Sequence, residues 1–272
     1  MSNPTERRDA LKELYTTCRG CVRCPQLAAS RQNVVFGAGN ADADLMFVGE
    51  APGKNEDEQG LPFVGRAGKL LNQLLGEIGL ERGDVFICNT LKCRPPGNRD
   101  PQPVEIDNCQ RYLFDQVALI QPKVICTLGN FATKLLRADQ TGITRVHGQD
   151  EVRVIGTRAV RLLPLYHPAA ALYTRSMLDV LREDFARIPD LLARPMPDQP
   201  EPAAPTNGRP RSSSRAPGAS PTNMRSASAL PAPNTTRVRV EASWGHFVQV
   251  CACCHTALSS SRRDSAEATS PP

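Results

Sequence analysis

Four continuously apolar runs punctuate the first two-thirds of the chain, at 45–49, 85–89, 124–129 and 160–166, and each closes on a polar or small-residue turn. The stretches between them repeat apolar residues at helical spacing. The clearest is 67–80, where Leu70, Leu71, Leu74, Leu75 and Ile78 follow a 3.6-residue period. Further helices are expected at 8–17, 104–120, 130–137 and 176–192, the last carrying Val180, Leu181, Phe185, Ile188 and Leu192. Strands that are apolar throughout, alternating with amphipathic helices, predict a parallel sheet covered on both faces. The expected fold class is therefore α/β, a three-layer α/β/α domain around a central, mostly parallel four-stranded sheet.

The polar residues that end the apolar runs then acquire a common address. Glu50 follows the first run, Asn89 ends the second, Gly129-Asn130 follows the third and His167-Pro168 follows the fourth. Open α/β sheets bind ligands beyond the carboxyl ends of their strands. A functional site is expected on that edge.

Composition changes the picture at the C-terminal side. Residues 194–272 hold 12 of the 24 prolines, no lysine, and Ser/Arg/Ala/Pro blocks. Such a segment cannot bury enough apolar surface to offset the entropy of ordering it. A folded domain over 1–193 and a disordered Pro/Ser/Arg-rich tail over 194–272 are expected. The tail has 9 arginines against 5 acidic residues and so carries most of the net charge of +5; residues 1–193 are nearly balanced, with 24 basic against 23 acidic. Overall charge thus says little about nucleic-acid binding by the domain. No apolar stretch suits a signal peptide or a membrane span, so a cytoplasmic protein without membrane association is expected. Ten cysteines in such a chain favour metal ligation over disulfides.

Four of those cysteines form two pairs, Cys21-x-x-Cys24 and Cys93 with Cys109, which could supply four thiolates to one centre. Four thiolates suit zinc and iron–sulfur alike. Cys18 extends the first pair into part of a ferredoxin-type run but is read as a spare, and Cys88 and Cys126 as buried apolar residues. In the tail His246, Cys251, Cys253, Cys254 and His255 are crowded too closely for a tetrahedral site. Gly49-Glu-Ala-Pro-Gly53 is a strand-to-loop turn that lets backbone approach a ligand, or an ordinary tight turn; it is not a dinucleotide fingerprint. Phe63 is either a core plug or a stacking platform. Gly65 and Gly68 could leave N–H groups open to a phosphate at a helix start. Asn89 could cap a turn, or offer a nucleobase edge its donor and acceptor together.

These motifs, in this order, resemble the family 4 uracil-DNA glycosylases, the iron–sulfur type. The resemblance covers about residues 18–190 and runs through Cys-x-x-Cys-Pro at 21–25, Val34-Val-Phe-Gly-Ala-Gly-Asn40, Gly49-Glu-Ala-Pro-Gly53 and Gly60-Leu-Pro-Phe-Val-Gly-Arg-Ala-Gly68. It continues through Asn89-Thr-Leu-Lys-Cys-Arg-Pro-Pro-Gly-Asn-Arg99, Cys109, Leu128-Gly129 and His167-Pro-Ala-Ala170. It implies a 4Fe–4S cluster on Cys21, Cys24, Cys93 and Cys109, structural rather than redox-active. It also implies a monofunctional enzyme that flips uracil from single- or double-stranded DNA and hydrolyses its N-glycosidic bond. A monomer is expected. The alternative is a glycosylase-like iron–sulfur module that binds DNA or a polymerase without cleavage.

By the same resemblance Phe63 stacks on the flipped base, Asn89 pairs with the uracil O4 and N3–H, and His167 bonds O2 as charge builds on the leaving base. Glu50, Ala51 and Pro52 line the other side. Glu50 polarises the attacking water or stabilises the cationic sugar. Family 1 relatives carry their catalytic Asp one position later, where this chain has Ala51, so the general-base role does not transfer by position. DNA contacts are expected at Lys69, Arg94, Arg99 and Arg175, with Leu172 as a wedge. His147 stands where relatives often carry a basic residue. A crosslinking branch uses a histidine in an inserted loop after the second motif; here that region is Lys92-Cys-Arg-Pro-Pro, which implies turnover.

Overall fold

The computed structural model describes residues 3–201. Most of the Pro/Ser/Arg-rich segment, and with it the Cys/His group at 246–255, lies outside the described residues. The chain opens with α1 (Pro4–Arg19), whose start is closed by a capping box in which the Asn3 side-chain Oδ1 accepts from Thr5 N at 3.1 Å and the Glu6 carboxylate accepts from Asn3 N at 3.0 Å. Then follow α2 (Pro25–Ser30), β1 (Ala38–Gly39), β2 (Leu45–Gly49), α3 (Lys54–Gln59), α4 (Arg66–Glu77) and β3 (Phe86–Asn89). Next come α5 (Pro103–Ile120), β4 (Val124–Leu128), α6 (Asn130–Arg137), α7 (Ile143–Val146), β5 (Glu151–Ile155) and β6 (Arg158–Leu165). The domain closes with α8 (Pro168–Ala171), α9 (Arg175–Phe185) and α10 (Ile188–Ala193).

The sheet order is β1-β3-β2-β4-β6-β5. The four central strands are the four apolar runs, and they pair in parallel. The sheet has six strands rather than the expected four. β1 and β5 are antiparallel additions at its two edges. Both escape the apolar signal for a physical reason: β1 is two residues long, and β5 is an edge strand that leaves Val152 and Val154 exposed, so it is not continuously buried. The expected helix at 176–192 is two helices. Pro189 lacks the N–H that would continue α9, and the chain restarts as α10.

Alternate side chains of each central strand feed the two cores. Met46, Val48, Phe86, Cys88 and Ile125 pack with Leu11, Leu113 and Val117 of α1 and α5. Leu45, Phe47, Ile87, Val124 and Cys126 pack with Leu71, Leu74 and Leu75 of α4 and with Leu181 and Phe185 of α9. Cys88 and Cys126 are fully buried, as their apolar positions predict. Past α10, the Gln199 amide bonds both the N–H and the carbonyl of Ala159, at 3.2 and 3.0 Å. Chain order steps from β2 outward to β3 and then back to β4 on the other side, which places a topological switch point at the carboxyl end of β2.

Candidate active site

The loops leaving β2 and β3 are bound to each other just past that switch point. Thr90 donates to the Gly49 carbonyl through both its N–H (2.9 Å) and its hydroxyl (3.1 Å), and Leu91 N donates to the Glu50 carbonyl at 3.0 Å. Glu50 and Asn89 therefore sit side by side. The Glu50 carboxyl is half-buried, and no side-chain hydrogen bond reaches it among the described residues. Loss of hydration, reinforced by the charge of Asp100, pushes its pKa above the usual glutamate value.

Asn89 is 2% exposed, and its side-chain Oδ1 is a buried acceptor with no partner among the described residues. Its neighbours explain the glycine at 49. A Cβ there would stand 2.4 Å from Asn89 Oδ1 and 2.7 Å from Phe63 Cζ. Gly49, Asn89 and the Phe63 ring thus meet within van der Waals distance, and only a residue without a side chain leaves room. The Phe63 ring also lies 5.6 Å from the His167 ring, with 28° between their planes. Phe63 is 6% exposed and packs in the α4-side core while facing this edge.

His167 caps α8: its Nδ1 accepts from Ala169 N at 3.1 Å. The neutral ring then carries its proton on Nε2, as a hydrogen-bond donor. Burial lowers the His167 pKa to about 4, with the Glu56 charge opposing the shift. Gly129 lies beneath it, since a Cβ at that position would stand 3.3 Å from the His167 Cβ. The structure thus brings Glu50, Phe63, Asn89 and His167 to one edge, with Ala51 and Pro52 in the same loop.

Not every expectation about this edge holds. The Gly65 N–H is not open to a phosphate, because Glu56 Oε1 accepts from it at 2.8 Å and from Val64 N at 2.9 Å. Gly68 serves packing instead: a Cβ there would lie 1.8 Å from the Phe63 carbonyl oxygen. Glu56 was invisible as a cap because its partners lie eight and nine residues ahead rather than in its own helix.

The residues named for DNA contact fall into two groups. Lys69 and Arg175 are exposed, and Leu172 is half-buried beside Tyr173, which is 82% exposed with the Arg66 guanidinium 5.9 Å from its ring centre. Arg94 donates to Asn98 Oδ1 at 2.7 Å, and Arg99 holds Glu105 through two bonds of 2.6 and 3.0 Å. Glu105 in turn caps α5 through Gln102 N, so Arg99 is tied into a helix start. His147 bonds Asp184 at 2.9 Å and packs its ring 4.5 Å from that of Tyr166.

Behind the edge, Cys21, Cys24, Cys93 and Cys109 line one small pocket together with Arg23, Leu27, Arg31, Leu91 and Asn108. All four are free thiols. Donors converge on their sulfurs: Arg31 on Cys93 at 3.0 Å, Lys92 N on Cys109 at 3.3 Å and Asn108 on Cys24 at 3.6 Å. Burial raises the pKa of Cys24 and Cys93, and that of Cys109 to about 11, while the charge of Lys92 pulls Cys109 the other way. Cys18 is 1% exposed in α1 and does not line the cavity. Among the described residues no three His, Cys, Asp or Glu side chains are arranged to hold a metal ion.

Lys92 joins this cavity to the edge. It is 1% exposed, and its ammonium donates to the Asn89 carbonyl at 2.8 Å and to Gln116 Oε1 at 2.7 Å, with no ion pair to a carboxylate among the described residues. A lysine between Leu91 and Cys93 reads in sequence as a solvated charge, and its burial emerges only when α5 covers it.

Comparison with known proteins bears on the same residues. A model of the uracil DNA glycosylase superfamily matches residues 36–188. The chain is 46% identical over 192 residues to a type-4 uracil-DNA glycosylase of Sulfurisphaera tokodaii, covering 69% of this chain and 87% of the relative. It is 43% identical over 194 residues to a type-4 uracil-DNA glycosylase of Archaeoglobus fulgidus, covering 70% and 96%. It is 45% identical over 190 residues to that of Saccharolobus solfataricus, covering 68% and 88%. The family match begins before β1 and ends at the start of α10, so it takes in the whole sheet and every strand end that builds the edge. The chain belongs to the uracil DNA glycosylase superfamily.

Proposed function

We propose that the protein is a monofunctional uracil-DNA glycosylase that flips uracil from single- or double-stranded DNA and hydrolyses its N-glycosidic bond, initiating base excision repair. It acts as a cytoplasmic monomer. The observation that carries the reading is the unpaired, buried Oδ1 of Asn89. An orphan acceptor of this kind costs about 1–3 kcal/mol. The N3–H of uracil satisfies it, while the Asn89 amide N–H meets O4. Cytosine presents an acceptor at N3 and a donor at its 4-amino group, so both contacts reverse.

The remaining residues serve the bond that breaks. Phe63 supplies a face for the base, and the loop at Ala51 and Pro52 borders it. The tautomer set by Ala169 aims a proton from His167 Nε2 at uracil O2. As electrons move onto the departing base, that donor stabilises the growing charge without a proton transfer. Glu50, ionised, polarises the water that attacks the sugar C1′ and stabilises its positive charge. Lys69, Arg94, Arg99 and Arg175 face the phosphate backbone in this reading, and Leu172 fills the gap the base leaves. Cys21, Cys24, Cys93 and Cys109 hold a 4Fe–4S cluster. Four thiols lining one pocket, with the Arg31 guanidinium on Cys93 and the Lys92 charge acting on Cys109, suit an anionic thiolate-bound group by the chemistry of the donor set. When bound it supplies a cross-link between the chain's start, the β3 exit and α5; hydrolysis itself transfers no electrons.

The direct test is incubation with a uracil-containing oligonucleotide followed by hot alkali. Strand breakage at uracil and not at cytosine is expected; an intact strand overturns the reading. Glu50→Gln is expected to lower single-turnover excision by roughly a hundredfold with DNA affinity unchanged. Unchanged turnover removes Glu50 from the chemistry.

The pH response has a definite sign. Activity needs Glu50 ionised and His167 neutral. The raised pKa of Glu50 places the acid limb above the usual glutamate range, and in Glu50→Gln the limb of the residual activity moves down toward about 4, the His167 value. Stability follows the same histidine. Its folded pKa lies below its unfolded value, so between about 6.5 and 4 the unfolded chain binds the extra proton and stability falls as pH falls. Denaturant melts at pH 7 and pH 4.5 are expected to show that His167→Gln loses less stability than wild type on acidification, by about 2 kcal/mol.

A further inference from the structure

Phe63 has a φ of 51°, in the left-handed region. An aromatic residue takes that conformation only where its surroundings impose it. Two features do so here. On one side α4 passes so close that the Phe63 carbonyl tolerates only Gly68 opposite it. On the other stands Arg82, in the loop between α4 and β3. Its Nη1 donates to the Phe63 carbonyl at 3.1 Å and to Asn72 Oδ1 at 3.2 Å, and its Nη2 donates to the Pro62 carbonyl.

The guanidinium is a rigid fork of donors, matched to two successive carbonyls turned the same way; an ammonium offers a single point. Among the described residues Arg82 makes no ion pair, so its hydrogen bonds go to the Phe63 turn and to the helix beside it. The turn's geometry matters because the ring it carries meets Gly49 and lies beside His167. A Phe63 relaxed to negative φ would swing its ring away from both.

We propose that Arg82 is a positioning residue for base recognition: by holding the Pro62 and Phe63 carbonyls it keeps the Phe63 ring against Gly49 and beside His167. Arg82 touches no substrate and acts through Phe63. The proposal rests on Phe63 being the face on which uracil stacks.

A double-mutant cycle tests it, using the full chain and free uracil as an inhibitor of excision. Arg82→Ala is expected to weaken uracil inhibition about tenfold, the scale of releasing one strained residue, with affinity for abasic-site duplex unchanged. Arg82→Lys falls between that variant and wild type. In a Phe63→Ala background, Arg82→Ala changes uracil inhibition no further. If Arg82→Ala leaves inhibition unchanged, or acts in full without the Phe63 ring, the proposal is overturned. A parallel loss of abasic-DNA affinity makes Arg82 a DNA contact and overturns it as well. If Phe63→Ala alone leaves uracil inhibition unchanged, the stacking reading itself fails, and the proposal with it. Thermal melts accompany every variant; should Arg82→Ala fail to fold, Arg82→Gln, which keeps one donor group, takes its place in the cycle.

Discussion

Gly49→Ala is expected to lower the kcat/KM for uracil excision by about a hundredfold, the usual effect of displacing a catalytic constellation by an ångström. The added methyl would stand 2.4 Å from Asn89 Oδ1 and 2.7 Å from Phe63 Cζ. Neither neighbour can retreat freely. Asn89 is a β3 residue whose carbonyl is held by Lys92, and Phe63 is braced by Gly68 and Arg82. The methyl therefore drives the Asn89 amide and the Phe63 ring apart, or lifts the β2 exit and Glu50 with it. Overpacking of this kind costs roughly 1–3 kcal/mol of stability, so the protein remains folded while the site does not. Single-turnover excision beside a thermal melt separates the two effects. Gly76→Ala is the control: a Cβ there meets nothing within 4 Å, and an alanine in the last turn of α4 is expected to be neutral or stabilising. Full activity in Gly49→Ala would show that the Asn89–Phe63 frame yields, and would remove the steric argument for this glycine.

Cys93→Ser is the second large effect. Cys93 lies four residues beyond Asn89, and Lys92 between them donates to the Asn89 carbonyl. Loss of the thiolate is expected to abolish visible absorbance in the purified protein and to lower its melting temperature by roughly 10 °C, as a loss on the order of 4 kcal/mol would. Excision is expected to fall with it, because the loop that leaves β3 loses its anchor. Cys18→Ala is expected to keep the absorbance, since Cys18 is packed in α1 and does not line the cavity. A colourless Cys18→Ala with a coloured Cys93→Ser would reassign the ligand set.

The site's address was legible before its geometry. Glu50, Asn89 and His167 each follow or end an apolar run, and a parallel sheet sends all such ends to one edge. That inference needs only backbone rules: alternation of strand and helix, and connections that return each strand in the same direction. Cys21, Cys24, Cys93 and Cys109 were likewise legible as a set, and the fold brings them to one cavity. Their spacing alone did not reveal Arg31 and Asn108 at the sulfurs, because those donors reach their partners across 62 and 84 residues of chain.

Local periodicity settled the central strands, the main helices and the edge where chemistry could occur, since neighbouring residues fix which face of an element is buried. Tertiary structure alone decided the rest. The edge strands β1 and β5 have too little buried surface to announce themselves. Lys92 reads as a surface charge until α5 covers it. Arg82 belongs to an unremarkable loop until the Phe63 turn is brought beneath it. Gly49 does not have a positive φ, so nothing local demands glycine; the demand comes from Phe63 and Asn89 arriving from different parts of the chain to occupy the volume a side chain would need.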